Sequence, residues 1–168
     1  MPQPNSSQDD LKQTERLWRE DGLALGRMLT AGRTPEAIVP WARELLELAA
    51  GEIEPPPSVR NALDVAADPL RWPEGKRAFE AVRRDTLAAQ GSGDVLLEAL
   101  LMLAENTSKV AFNATHPVGL FDEDTDDWIV QNVRYLADRL GGDFERSARR
   151  LVFQLLDESH RVTLANTD

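Results

Sequence analysis

Helix start and stop signals return at regular intervals along this chain. Thr34-Pro35-Glu36 combines a capping hydroxyl, a proline at the first helical position and an acid near the positive end of the helix dipole. Asp94, Thr125 and Asp143 each precede another apolar stretch, where a side-chain oxygen can cap free amides. Apolar residues between these signals recur every three or four positions, and no stretch shows the strict alternation of a strand. The pattern predicts an all-α protein.

About seven helices are expected, joined by short connections in one compact orthogonal or bundle-like array. Gly22 and Gly26 interrupt the first apolar stripe and indicate either close packing or a kink. Three consecutive prolines at 55–57 form a stiff spacer inside this body, because the segments on both sides are too small to fold alone. We therefore predict a single domain. It covers residues 9–158, with a flexible N-terminal tail at 1–8 and a C-terminal tail at 159–168.

Three segments of the chain share their layout with a known group of proteins. They are Pro-Glu-Ala-Ile-Val-Pro-Trp-Ala-Arg at 35–43, Ala66-Ala67-Asp68-Pro69 and Lys76-Arg77-Ala78. In this arrangement the chain resembles small helical bacterial proteins of uncharacterised function, over roughly residues 30–115. Those proteins carry no activity that could be transferred to this chain, so the resemblance implies the fold class only.

The composition excludes several classes of function. None of the 168 residues is cysteine, which rules out a disulfide scaffold, a thiolate zinc site, an iron–sulfur cluster and a cysteine nucleophile. No apolar run approaches the roughly 20 residues of a membrane-spanning helix, and the N-terminus lacks the pattern of a secretory signal. We therefore expect a cytoplasmic protein that has no membrane partner.

The net charge of −10 is unevenly distributed. Residues 85–133 carry nine acidic side chains and a single cation, Lys109. So acidic a chain is a poor ligand for nucleic acid, whose affinity comes mainly from lysine and arginine neutralising phosphates. A negative field of this kind attracts a basic partner or a metal ion, although it also serves solubility alone.

The stretch from residue 95 to about 114 is the most apolar predicted helix, and its polar residues share one arc about 100° wide. This arc contains Glu98, Met102, Glu105, Asn106, Lys109 and Asn113. It is either the exposed strip of an otherwise buried helix or the lining of an internal pocket. Glu105 and Lys109 have the i, i+4 spacing of an ion pair. Asparagine is a poor helix former, so Asn106 and Asn113 indicate a hydrogen-bonding role.

Tryptophan is the other residue type that points to binding. Trp18, Trp41, Trp72 and Trp128 are expected to be core anchors, and any of them that is exposed would be a candidate interface hot spot. The ligand- or partner-binding candidates are Glu105, Asn106, Lys109, Asn113 and Trp128.

An acidic loop follows the most apolar helix. Asp122, Asp124 and Asp126 repeat the alternating oxygen ligands of a calcium loop, and His116 could add a nitrogen ligand. The match then ends, because Asp127 replaces the glycine of that motif and its bidentate glutamate is missing. Acids at a helix start also cap free amides, which is the alternative explanation. The candidate metal ligands are His116, Asp122, Asp124 and Asp126.

No catalytic residues are assigned. Ser92 in Gly91-Ser92-Gly93 lacks the spacing and preceding strand of a nucleophile elbow, and the chain has no phosphate loop or dinucleotide fingerprint. The sequence therefore predicts a non-catalytic, acidic helical protein that binds a protein partner of basic character, as an immunity protein, antitoxin or adaptor does. The alternative is a divalent-metal-dependent enzyme or a small-ligand-binding protein that uses residues 106–127. No cofactor is expected beyond that divalent cation, and the oligomeric state is left open.

Overall fold

The computed structural model describes the backbone of residues 6–116 and 125–167 and the side chains of residues 8–116 and 125–156. Within these ranges the chain forms eight α-helices and one 3₁₀ helix and contains no strand. The α-helices are α1 (Ser6–Glu20), α2 (Gly22–Thr30), α3 (Pro35–Ala50), α4 (Pro57–Ala67), α5 (Gly75–Ala89), α6 (Val95–Asn113), α7 (Thr125–Leu140) and α8 (Gly142–Thr167), and the 3₁₀ helix covers Pro69–Glu74. The all-α prediction is confirmed, with one helix more than expected.

The additional helix arises because the chain breaks at Asp21. The apolar stripe predicts one helix that is capped by Asp9 or Ser7 and ends at Gly32, but Asp21 leaves the helical conformation, with φ −152° and ψ 89°. Its carboxylate accepts a hydrogen bond from the Ala24 amide at 3.0 Å and so caps a new helix. Aspartate is unfavourable inside helices and favoured at their N-termini, which explains the position of the break.

Gly26 brings α2 unusually close to α7. A Cβ atom at this position would lie 2.5 Å from the carbonyl oxygen of Asp127 and 2.9 Å from its Cα. A Cβ atom at Gly22, one turn earlier, would meet Gln131. Only glycine permits such an approach, so α2 touches the backbone of α7 through these two residues. Of the two explanations for the glycines, close packing is the one that Gly26 satisfies.

α6 lies at the centre of the fold and contacts α3, α4, α5, α7 and the 3₁₀ helix. Leu100, Leu101 and Leu103 are fully buried, as expected for a helix that is apolar over most of its circumference. Gly75 allows the start of α5 to approach α6, since a Cβ atom there would lie 2.5 Å from the Ser108 carbonyl oxygen. Even so, no helix in the described ranges has both the length and the apolar character needed to cross a membrane.

The start of α4 makes a contact with another helix, and the C-terminal end differs from expectation. α4 begins at Pro57, and the hydroxyl of the next residue, Ser58, donates to Asp85 Oδ2 at 2.5 Å and ties α4 to α5. The backbone of α8 continues to Thr167, through most of the stretch predicted as a C-terminal tail. Of the predicted N-terminal tail, residues 1–5 lie outside the described residues.

Candidate functional site

The polar arc of α6 is neither an exposed strip nor the wall of one pocket. Glu105 and Asn106 are buried, and Lys109 and Asn113 are half-buried. α5 covers part of the arc: Arg83 Nη1 lies 3.6 Å from Glu105 Oε2, and Lys109 Nζ lies 4.9 Å from the centre of the Phe79 ring. Periodicity predicts correctly that these side chains share one side of α6, but a neighbouring helix closes that side.

Two acceptor atoms in this arc have no hydrogen-bond partner among the described residues. They are Oε1 of Glu105 and Oδ1 of Asn113, and both atoms are fully buried. A buried polar atom that loses water without gaining a protein partner destabilises the fold by about 1–3 kcal/mol. Neither residue is among those that line the cleft between α6 and α7.

The cleft between α6 and α7 has a volume of about 250 Å³. Each helix lines it with residues at positions i, i+3, i+4 and i+7, which share one face of a helix. The lining residues are Val95, Glu98, Ala99 and Met102 from α6, and Trp128, Gln131, Asn132 and Tyr135 from α7. The sequence arc therefore contributes its N-terminal members to the cleft, while its C-terminal members do not reach it.

Apolar side chains are unusually exposed in this cleft. Val95 is 41% exposed, Met102 40% and Trp128 42%, and they are three of the six exposed large hydrophobic residues in the described part of the chain. Exposed apolar residues are common when scattered, but a contiguous group marks a binding surface. Trp18, Trp41 and Trp72 are buried as predicted, so Trp128 is the exception among the four tryptophans. Its prediction as a core anchor is wrong, because α6 and α7 leave a cleft beside it.

The cleft also contains polar groups that lack partners in the part of the chain that the structure describes. Asn132 is only 6% exposed, and its Nδ2 atom is buried without a hydrogen-bond acceptor among the described residues. Glu98 is half-buried and forms no ion pair with a described residue. At Tyr135 the guanidinium of Arg139 lies 3.6 Å from the ring centre and covers one face of the ring. An unpaired donor and an unpaired carboxylate thus border the apolar lining.

Sequence reasoning finds Trp128 and places Glu98 and Met102 on one arc, but it misses Val95, Asn132 and Tyr135. Asn132 precedes Val133 on α7 and gives no local signal that it would be buried at a cleft. The available signal is the spacing of Trp128, Asn132 and Tyr135 on one face of the helix. That spacing cannot reveal that α6 presents a matching stripe opposite.

The candidate metal ligands are only partly described. Nδ1 of His116 lies 3.0 Å from the Phe112 carbonyl oxygen, and its ring stacks on the Phe112 ring at 3.7 Å. Burial and, to a lesser extent, the charge of Asp127 raise the pKa of Asp126 to about 6. Asp122 and Asp124 lie outside the described residues. In the ranges that are described, no group of three or more histidine or carboxylate side chains is placed to hold a metal ion.

The acidic stretch 85–133 is partly neutralised by arginines from the other half of the chain. Asp127 is buried and its Oδ2 accepts from Arg27 Nε at 2.9 Å. Glu105 likewise faces Arg83 of α5. The expectation that this stretch projects uncompensated negative charge therefore fails at these two residues. Glu98, in the cleft, forms no ion pair with any residue that the structure describes.

Comparison of the chain with protein-family models, with curated proteins and with solved structures finds no match.

Proposed function

We propose that this protein binds a partner protein through the α6–α7 cleft and performs no chemical step there. The observation that carries the proposal is the exposure of Val95, Met102 and Trp128 along a single cleft. Tryptophan in such a position is the residue type that most often dominates binding energy at protein interfaces.

The exposure of the cleft favours a protein side chain over an enclosed small organic ligand. Small-molecule sites usually measure roughly 300–1,000 Å³ and enclose most of the ligand. The α6–α7 cleft measures about 250 Å³ and is open to solvent along its exposed apolar residues. It has room for one large side chain or two smaller ones, which is how interface pockets receive an anchor residue.

Charge supports a basic partner. Glu98 borders the cleft without an ion pair to the described residues, and Asp94 is exposed directly before Val95. Negative charge around an apolar contact accelerates association with a basic surface and disfavours acidic competitors. A protein that masks or carries a basic partner, such as an immunity protein, an antitoxin or an adaptor, is the class of function that this surface suits.

Selection from a displayed library of random 12-residue peptides tests the proposal while the partner is still unidentified. We expect enriched peptides to contain a large apolar residue close to lysine or arginine. Trp128→Ala should weaken their binding by about 30-fold, the effect of losing a hot spot worth roughly 2 kcal/mol. Leu70→Ala is the matched control, because Leu70 is 90% exposed and lies outside the cleft.

Circular dichroism of each variant ensures that a loss of binding is not a loss of folding. Met102→Lys provides a second disruption of the same surface that leaves the tryptophan in place. The proposal fails if no peptide is enriched, or if the enriched peptides bind the Trp128→Ala and Met102→Lys variants as tightly as the original protein.

A further inference from the structure

We infer that the partner crosses the α6–α7 cleft as an extended basic segment: one of its backbone carbonyl groups accepts a hydrogen bond from Asn132, and a lysine or arginine pairs with Glu98. The inference rests on the proposed function, because it names the conformation and charge of the partner at that same cleft. It is carried by the two polar groups there that lack partners within the described ranges of the chain.

A buried donor without an acceptor, as at Asn132, is less common in proteins than a carboxylate without an ion pair, as at Glu98. Asn132 is 6% exposed and its Nδ2 atom has no acceptor among the described residues. Buried donors almost always have a partner, and each exception calls for an explanation. Since Asn132 lines the cleft, a group bound there can supply the missing acceptor.

The carboxamide can reach such an acceptor without movement of the backbone. A half-turn about its Cβ–Cγ bond exchanges the positions of Nδ2 and Oδ1, and this torsion is soft for asparagine. The turn leaves a carbonyl oxygen inside, which proteins tolerate better than an orphaned N–H group. After the turn the donor occupies the former position of Oδ1, where a carbonyl group of the partner can accept a hydrogen bond from it.

The acceptor is best supplied by the backbone of an extended segment. Carbonyl groups within a helix are already bonded to amides four residues later, so a docked helix has none to offer except in its last turn. An acidic side chain could accept, but Glu98 at the same cleft would repel it. An extended chain presents free carbonyl groups beside its side chains, and one of these side chains can fill the apolar part of the cleft.

Glu98 sets the charge of the segment. The carboxylate is half-buried at a cleft that also exposes Val95 and Met102, so it is less screened than a fully exposed acid. Arg139 is stacked on the ring of Tyr135, which lines the cleft, and is not paired with Glu98. A lysine or arginine of the partner supplies the charge that Glu98 lacks.

The experiment uses the tightest peptide from the library selection and isothermal titration calorimetry. Asn132→Leu, which has a similar shape and no donor, is expected to fold at least as stably and to weaken binding tenfold or more. Replacing one peptide amide by an ester, which makes its carbonyl group a weaker acceptor, should weaken binding to the original protein and have no effect on Asn132→Leu. Asn132→Ala repeats the test if the leucine variant does not fold.

Charge exchange tests the second contact. Glu98→Lys should weaken binding of the basic peptide tenfold or more. A peptide with glutamate in place of its lysine or arginine should recover binding to the Glu98→Lys variant. Glu80→Lys makes the same change at an exposed position outside the cleft and should have no effect.

The outcomes separate the inference from the proposed function. If Trp128→Ala abolishes binding while Asn132→Leu and Glu98→Lys do not, the inference is wrong and the cleft remains a binding site. A gain of peptide helix content on binding, measured by circular dichroism, also overturns the inference. If no peptide binds, or if neither Trp128→Ala nor Met102→Lys has an effect, both are refuted.

Discussion

Replacing Gly26 by alanine tests whether α2 and α7 are in backbone contact. The added Cβ atom would lie 2.5 Å from the Asp127 carbonyl oxygen, 2.9 Å from Asp127 Cα and 3.0 Å from its carbonyl carbon. All three atoms belong to the backbone of α7, so no side-chain rotation can relieve the contact. The helices must separate by about 0.9 Å to restore an ordinary distance of 3.4 Å.

Two opposing effects determine the size of the change in stability. Over-packing a close interface usually costs about 1–3 kcal/mol, and a contact with rigid backbone belongs at the upper end. Alanine is favoured over glycine within a helix by about 1 kcal/mol, which offsets part of this cost. The net expectation for Gly26→Ala is a loss of about 1–2 kcal/mol, or a fall in Tm of about 2–8 °C for a chain of this length.

Gly51→Ala is the matched control. Gly51 has a φ of −74°, and an added Cβ atom there would find its nearest neighbour at 3.4 Å. The same substitution should therefore be neutral or stabilise by up to about 1 kcal/mol. Gly22→Ala should fall between the two, because its closest contact is the flexible end of Gln131.

Urea unfolding followed by circular dichroism measures all three variants under one set of conditions. We expect Gly26→Ala to be less stable than Gly51→Ala by about 1–3 kcal/mol, the sum of the two separate effects. If the two variants unfold at the same urea concentration, the backbones of α2 and α7 are not in close contact at Gly26.

Three further predictions concern charged residues. Burial raises the pKa of Asp126 from 3.8 to about 6, so the folded state binds this proton more tightly and the cost of ionisation appears as pH rises through about 6. Asp126→Asn should therefore stabilise the protein by about 1–2 kcal/mol at pH 7.5, a value that is discounted for the partial exposure of the side chain, and by very little at pH 4. Urea unfolding that shows equal gains in stability at both pH values would contradict this prediction. Glu105→Met removes a buried carboxylate that has an orphaned oxygen, so this variant should not lower the free energy of unfolding. Arg83→Ala leaves the carboxylate without its cation and should lower the free energy of unfolding by about 1 kcal/mol. Similar losses in both variants would refute the reasoning. Asp94 caps α6 by accepting a hydrogen bond from the Leu97 amide at 3.1 Å. In thermal unfolding, Asp94→Ala should lose about 1 kcal/mol of stability and Asp94→Asn almost none, because asparagine can also cap a helix. An equal loss of stability in both variants would exclude a capping role.

Much of the fold follows from local signals. Asp94 caps α6 as its position predicts, and Pro35 begins α3 directly after Thr34, although the Thr34 hydroxyl does not make the predicted capping hydrogen bond. These predictions succeed because a cap or a helix-starting proline acts within one turn of the chain. Asp21 is a signal of the same kind, and its interpretation as a cap would have placed the break between α1 and α2.

The candidate site was less accessible to prediction. Periodicity places Glu105 on the polar side of α6 and Trp128 on the apolar side of α7, yet Glu105 is buried and Trp128 is exposed. The first reversal occurs because α5 covers Glu105 and supplies Arg83. The second occurs because α6 and α7 leave a cleft beside Trp128.

The amino-acid order alone determines where most helices begin, which stretches are apolar and that α6 is apolar enough to be central, since each of these depends on residues within a few turns of one another. Tertiary packing decides which helix covers which face. The approach of α2 to α7 through Gly26, the closure of Glu105 and the opening at Trp128 all depend on contacts between distant parts of the chain. A helical repeat gives the angle of a side chain around its own axis, but the neighbours it meets are set only when all the helices pack together.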